Sequence, residues 1–193
     1  MKELKARGVV EFHDGTGADA PACALWTAIA ENHRHNRLLW DEEDLARRRN
    51  VSDSEIAANK RNIDRYNQKR NDAIEHVDEQ LLNLLSAVRP APDARLSSET
   101  PGGMIDRLSI LSLRIGQMKM QAERKDVDRI HIDGCLAKLT RLNEQRTDLA
   151  TCLDQLLAEC ARGSSRFKIY RQFKMYNDPA LNPAIYGESK RST

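Results

Sequence analysis

Glu75 and Asp78 stand three residues apart in KRNIDRYNQKRNDAIEHVDEQLLNLL, residues 60–85, and Asp41 and Asp44 repeat that spacing upstream. On a helix this separation sets two carboxylates on one face. Two such pairs on adjacent helices can hold magnesium against a phosphate chain. The chemistry implied is hydrolysis of a phosphate ester or pyrophosphate, as in the all-helical nucleotide pyrophosphohydrolases. That arrangement uses glutamates closer together along the chain than these residues, so the match is a poor one. Whether the protein is an enzyme stays open at this point.

The same stretch offers a second chemistry. Ile63, Ile74, Val77, Leu81, Leu84 and Val88 follow alternating four- and three-residue spacings, and that register also takes in Asn67 and Arg70. Asp64, Asn71 and Asp78 recur every seven residues beside the seam, with Glu75 one turn from Asn71 and Asp78. Arginine grips phosphate or carboxylate through paired N–H donors, and Asn and Asp suit sugar hydroxyls. Buried charge is costly unless paired and hydrogen-bonded. One reading is a satisfied network that fixes helix register, as a buried Asn does in a coiled coil. The other is a pocket for an anionic, hydroxyl-rich ligand such as a sugar phosphate or nucleotide-sugar. His131 and Cys135, four apart on one helical face, lack a second pair of metal ligands, so a structural role is favoured. There is no Walker loop, GxGxxG, GxSxG or HExxH. Nothing in the chain names a cofactor.

The elements that must position these groups are long helices. With 5% aromatic and 31% charged residues, the 193-residue chain suits amphipathic helices better than sheets. Asp19 and Pro21 open a first helix reaching about Arg49, with Trp26, Ile29, His33, Asn36, Trp40, Glu43 and Arg47 on one stripe. Ser52 and Glu55 have capping-box spacing for a second helix reaching about Val88. After a polar connection, 89–99, Thr100 and Pro101 begin a third, striped by Met104, Leu108, Leu111, Ile115, Met118 and Ala122. That register fails at Lys125 and Arg129, which places a break near RKD with Asp126 as the next cap. A fourth helix carries Ile132, Cys135, Leu139, Leu142, Arg146, Leu149, Leu153, Leu156 and Cys160, and stops at Gly163.

The fold expected is all-α: an elongated antiparallel bundle of four long helices with a short C-terminal helix or turn segment. Residues 1–20 read as irregular, 21–163 as the bundle, and 164–193 as a basic, aromatic extension packing on it, with disordered last residues. In such a bundle Asp78, Asp106 and Arg146 fall at one level, and Arg70 and Arg146 are expected to pair inside it. Asn36 and Glu43 face the polar end of the second helix, and Lys174, Tyr176, Asn177 and Asp178 in the turn-rich tail are placed to close a chamber there. A net charge of +2 argues against a nucleic-acid partner. There is no apolar run for a signal peptide or membrane span, and four cysteines without a CxxC read as buried reduced thiols, so a cytoplasmic location is expected.

Five blocks, HNRLLWDEEDLAR, KRNIDRYNQKRNDAIEHVD, ETPGGMIDRLSILSLRI, EQRTDLATCLDQLL and FKMYNDPALNPAIY, resemble the bacterial family called domain of unknown function 4254, over roughly residues 30–186. The resemblance implies a mostly helical cytoplasmic protein. Members often lie beside genes for glycosyltransferases of lipopolysaccharide assembly, which implies an accessory or ligand-binding role, and a protein partner, in cell-envelope glycan synthesis. The polar positions it carries over are Glu43, Asp44, Asp64, Asn67, Arg70, Glu75, Asp78, Asp106, Arg107, Arg146 and Asp148. The last block adds Lys174, Tyr176, Asn177, Asp178 and Asn182. Where the family often has an acidic residue after NQxR, this chain has Asn71 followed by Asp72.

Overall fold

The computed structural model describes residues 20–171 together with 180 and 181. Within them the protein is all-α apart from a two-residue strand pair. The helices are α1 (Ala20–Leu45), α2 (Asp53–Leu84), α3 (Pro101–Ala122) and α4 (Arg129–Arg162). Among the described residues no helix is long and apolar enough to cross a membrane.

Local chemistry sets most of the boundaries. Ser52 and Glu55 form the capping box at α2, with the Glu55 amide donating to Ser52 Oγ at 3.3 Å and the Ser52 amide donating to Glu55 Oε2 at 3.1 Å. Thr100 Oγ1 accepts from the Gly103 amide at 3.2 Å and Pro101 fills the first turn of α3. The cap of α4 is Asp128, whose Oδ1 accepts from the His131 amide at 2.8 Å. Asp126, expected in that role, instead receives the Arg124 guanidinium at 3.0 and 2.6 Å, and those hydrogen bonds hold its carboxyl down at about 2. Gly163 ends α4 at φ 77°, where a Cβ would lie 2.9 Å from Arg89 O.

The apolar core occupies one end of the assembly. It joins Leu25 and Ala28 of α1, Val77 and Leu81 of α2, Met104 and Leu111 of α3, and Leu149, Leu153, Leu156 and Leu157 of α4. Each large side chain buried there contributes about 1.5–3 kcal/mol. These residues come early in α1, late in α2, early in α3 and late in α4, the alternation that antiparallel neighbours produce. Contacts between α1 and α2 agree: Glu42 meets Asn59 and Asn62, and seven residues back His35 stacks on Tyr66 at 6.3 Å. Backbone packing is uneven. α3 lies close to all three other helices, whereas α4 lies close to α3 but not to α1 or α2. Away from the core, the two helix pairs therefore leave space between them.

The connection 89–99 and the segment after α4 differ from expectation. Arg95–Leu96 (β1) pairs in parallel with Ser165–Arg166 (β2). The Arg95 amide donates to Ser164 O at 3.1 Å, the Ser97 amide to Arg166 O at 2.8 Å, and the Ala91 amide to Gly163 O at 2.9 Å. Of the helix or turn expected after α4, residues 165–171 form no helix. The two segments satisfy each other's backbone groups, and Phe167 is buried against the core. Of the cysteines, Cys135 and Cys160 are buried, while Cys23 and Cys152 are exposed, against the expectation of four buried thiols. Burial pushes the Cys160 thiol up to about 11.

Candidate functional site

Helix α1 buries only part of the stripe its sequence suggests, Asn36 and the half-buried Ile29 among it. Trp26 is 44% exposed, and the buried residues are Leu25, Ala28, Asn32, His35 and Asn36. α1 packs on α2 and α3 at once, so two adjacent faces are covered instead of one seam. The consequence is a polar layer. Asn32 Nδ2 and Asn36 Nδ2 donate to Asp106 Oδ1 at 2.9 and 2.8 Å, and Asn36 Nδ2 also reaches Ser109 Oγ at 3.1 Å. His33 Nδ1 lies 2.9 Å from the same hydroxyl. On the α2 side, Asn59 and Asn62 donate to the two oxygens of Glu42 at 2.8 and 2.9 Å.

Beyond this layer, at the end away from the core, lies a cavity of about 310 Å³. Asn36, Trp40, Glu43 and Arg47 of α1, Arg70 of α2, and Ile110 and Arg114 of α3 border it. Three guanidinium groups meet there. Glu43 and Asp44 each hold Arg47 at 3.2 Å. Arg114 makes no ion pair among the described residues. Arg70 Nε and Trp40 Nε1 are buried without a hydrogen-bond partner. A buried donor left unpaired costs about 1–3 kcal/mol. Among the described residues, the cavity therefore carries unmet hydrogen-bond donors and two cations without carboxylate partners of their own.

Two further spaces adjoin it. A groove of about 720 Å³ between α3 and α4 shares Trp40 and Arg114 with the cavity and adds Met118, Ala137 and Leu142. On another side of α3, a space of about 600 Å³ shares Arg114 and Ile110 and includes Arg107 and Asp148. Arg114 borders all three.

The carboxylate pair of the second helix is elsewhere. Asn71, Glu75 and Asp78 border a separate cavity of about 280 Å³ beside Thr100. Asp78 is engaged at the start of α3, where its Oδ1 accepts from the Gly102 amide at 2.6 Å. Burial pushes its carboxyl up to about 6, against the hydrogen bonds from Thr100 and Gly102 that favour the charge. Glu75 accepts from Arg171 Nη1 at 2.6 Å, and Arg171 also binds Glu79.

The expected site residues thus divide. Asn36, Glu43 and Arg70 share one cavity, as the sequence places them, and Asn67 is half-buried nearby on α2. Asp64 faces solvent. Arg146 is exposed on α4, so its pairing with Arg70 inside the bundle is not observed. Arg70 instead borders the cavity between α1 and α3. Arg107 is exposed and binds Glu99 at 2.7 Å, and Asp148 is exposed. Lys174, Tyr176, Asn177, Asp178 and Asn182 lie outside the described residues. The sequence reading missed Asn32, His35, Glu42, Asn59, Asn62 and Arg114. Asn32 and Asn36 are one turn apart, as are Asn59 and Asn62, and that amide spacing was the available signal.

The family model described as protein of unknown function (DUF4254) matches residues 26–169, well over half of the chain. The chain belongs to this family. The DUF4254 span contains α2, α3, α4 and both short strands, with all but the first turns of α1. The arginine-lined cavity lies wholly inside the DUF4254 span; the tail positions fall beyond it. No curated protein and no solved structure matches the chain.

Proposed function

We propose that this DUF4254 protein is a binding module for an anionic, hydroxyl-rich small molecule, a sugar phosphate or nucleotide-sugar, taken up in the cavity between α1, α2 and α3. One observation carries the reading: Arg70 and Arg114 meet beside Trp40 with two buried N–H groups unpartnered. A phosphate supplies several acceptor oxygens and two charges to a site that has donors and cations in surplus. Asn36, at the cavity edge, has its amide N–H groups taken by Asp106 and Ser109, which leaves its carbonyl oxygen to accept from a hydroxyl. About 310 Å³ is at the small end of ligand pockets, which span roughly 300–1,000 Å³. A phosphate with a compact polar group suits that size. A cytoplasmic setting, and an accessory place with a protein partner in cell-envelope glycan synthesis, rest on the family resemblance and belong to this proposal.

Phosphate hydrolysis at Glu75 and Asp78 is the less favoured reading, because Asp78 is engaged by the α3 amides and Glu75 by Arg171. The test is a thermal-shift and calorimetric screen of sugar phosphates and nucleotide-sugars against the wild type, Arg70→Gln and Arg48→Ala. Binding that weakens about tenfold or more in Arg70→Gln, and not in Arg48→Ala, supports the site. A panel that leaves the wild type unshifted overturns it.

A further inference from the structure

We infer that the ligand is a nucleoside phosphate, its base seated in the α3–α4 groove and its phosphate held at Arg114; this deepens the anion-binding reading above and rests on it. Arg114 and Trp40 border both the arginine-rich cavity and the groove, so the two spaces adjoin at these side chains and one molecule can occupy both. The two spaces differ in chemistry. The cavity is bordered by guanidinium groups and carboxylates. The groove is lined by Met118, Ala137 and Leu142, and no carboxylate among the described residues borders it.

A flat, weakly polar ring suits such a lining, and the aromatic side chain of Trp40 at its border can stack on one. The groove is also not purely apolar. Gln117 and Gln121 stand one turn apart along its α3 edge. Gln121 accepts from Arg124 Nη1 at 3.1 Å, while Gln117 has no partner among the described residues. A side-chain amide offers a donor and an acceptor side by side, the pattern that reads a base edge. The opposite rim carries Lys138 and Arg141, which with Arg114 make the groove complementary to an anion entering at its mouth. Arg141 is shared with Glu144 at 2.9 Å, so Lys138 and Arg114 are the freer charges.

Isothermal titration of the full chain with uridine diphosphate, adenosine diphosphate, glucose 1-phosphate, inorganic pyrophosphate and decyl phosphate tests this. The nucleoside diphosphates are expected to bind at least about tenfold tighter than pyrophosphate or glucose 1-phosphate, a step of ~1.4 kcal/mol. Ala137→Trp, at an exposed helical position, fills the groove and should weaken nucleotide binding by a similar factor while sparing pyrophosphate. Gln117→Ala should narrow the gap between nucleotide and pyrophosphate, and Arg114→Gln should weaken both. Circular dichroism verifies that each variant folds. Glucose 1-phosphate binding as tightly as the nucleotides removes the base from the groove but leaves the anion site standing. Decyl phosphate binding tightest overturns the inference in favour of an alkyl phosphate. No binding by any phosphate overturns both readings together.

Discussion

The amide of Gly102 donates to Asp78 Oδ1 at 2.6 Å, which sets the first turn of α3 directly on a buried carboxyl of α2. A carboxylate at a helix N-terminus meets unpaired amides and the positive end of the helix dipole. The same contact removes the carboxylate from water, and burial dominates the balance. Asp78 therefore serves the junction between the two helix pairs.

Its pH signature follows from the direction in which burial moves the carboxyl. The folded-state pKa is raised from 3.8 to about 6, so the folded chain holds this proton more tightly than the unfolded one. The charged carboxyl thus opposes folding above pH 6, and that penalty fades as pH falls through 6 towards 3.8. Its full size is up to about 3 kcal/mol, since each pH unit separating the folded and unfolded values corresponds to about 1.36 kcal/mol. Asp78→Asn keeps an oxygen for the Gly102 amide and has no charge to desolvate. In urea melts the difference between variant and wild type is expected to favour the variant at pH 7.5 and to shrink or reverse by pH 4.5.

Gly102→Ala tests the closeness of the same contact. A Cβ there would lie 2.5 Å from Ile74 O and 2.8 Å from Asp78 Cγ, and the first of these is backbone that cannot swing away. A destabilisation of about 1–3 kcal/mol or more is expected despite the better helix propensity of alanine. Gly116→Ala, where nothing lies within 4 Å, is the control and should be neutral or stabilising. Matching melting midpoints for the two variants would show that α3 does not sit this close to α2.

Asp106→Ala removes the shared acceptor of Asn32 and Asn36, both buried. Asn36 keeps Ser109 Oγ at 3.1 Å, whereas Asn32 is left without an acceptor, so a loss of about 1–3 kcal/mol is expected in chemical denaturation. Arg146→Ala, on the exposed face of α4, should stay within about 0.5 kcal/mol. Equal losses would mean that the polar layer carries no stability.

Arg171→Ala probes the contact that ties the residues after β2 to α2. Arg171 is exposed and pairs with Glu75 and Glu79, and its hydrogen bond holds the Glu79 carboxyl below the usual range. Exposed pairs contribute about 0–1 kcal/mol. A small loss that disappears in high salt is expected, and a salt-independent loss of several kcal/mol would contradict a solvent-screened contact.

The four helices and most of their ends are legible because capping residues and the four-three apolar spacing act locally. Ser52, Thr100, Pro101 and Gly163 each mark a boundary that the structure keeps. What fails is the assumption of equal neighbours. A seam read on one helix cannot say that α1 covers two partners, so the stripe favours His33 and Trp26 over the buried Asn32 and His35. Nor can it say that the backbone of α4 keeps close to α3 alone; the seam places Arg146 inside, and the structure leaves it exposed. The strand pair joining 95–96 to 165–166 has no local signature, since two residues are too few for a period.

That strand pair has a kinetic consequence. Parallel strands need a crossover between them, and here the crossover is the whole α3–α4 hairpin. The two ends of a long loop must meet before β1 and β2 can pair, and closure of such a loop is entropically costly until the helices have docked. The amide protons of Arg95 and Ser97 are thus reporters of assembly. In pulsed hydrogen exchange they should gain protection after the amides inside α3 and α4, and in native exchange they should open together with the Gly163 turn as one cooperative unit.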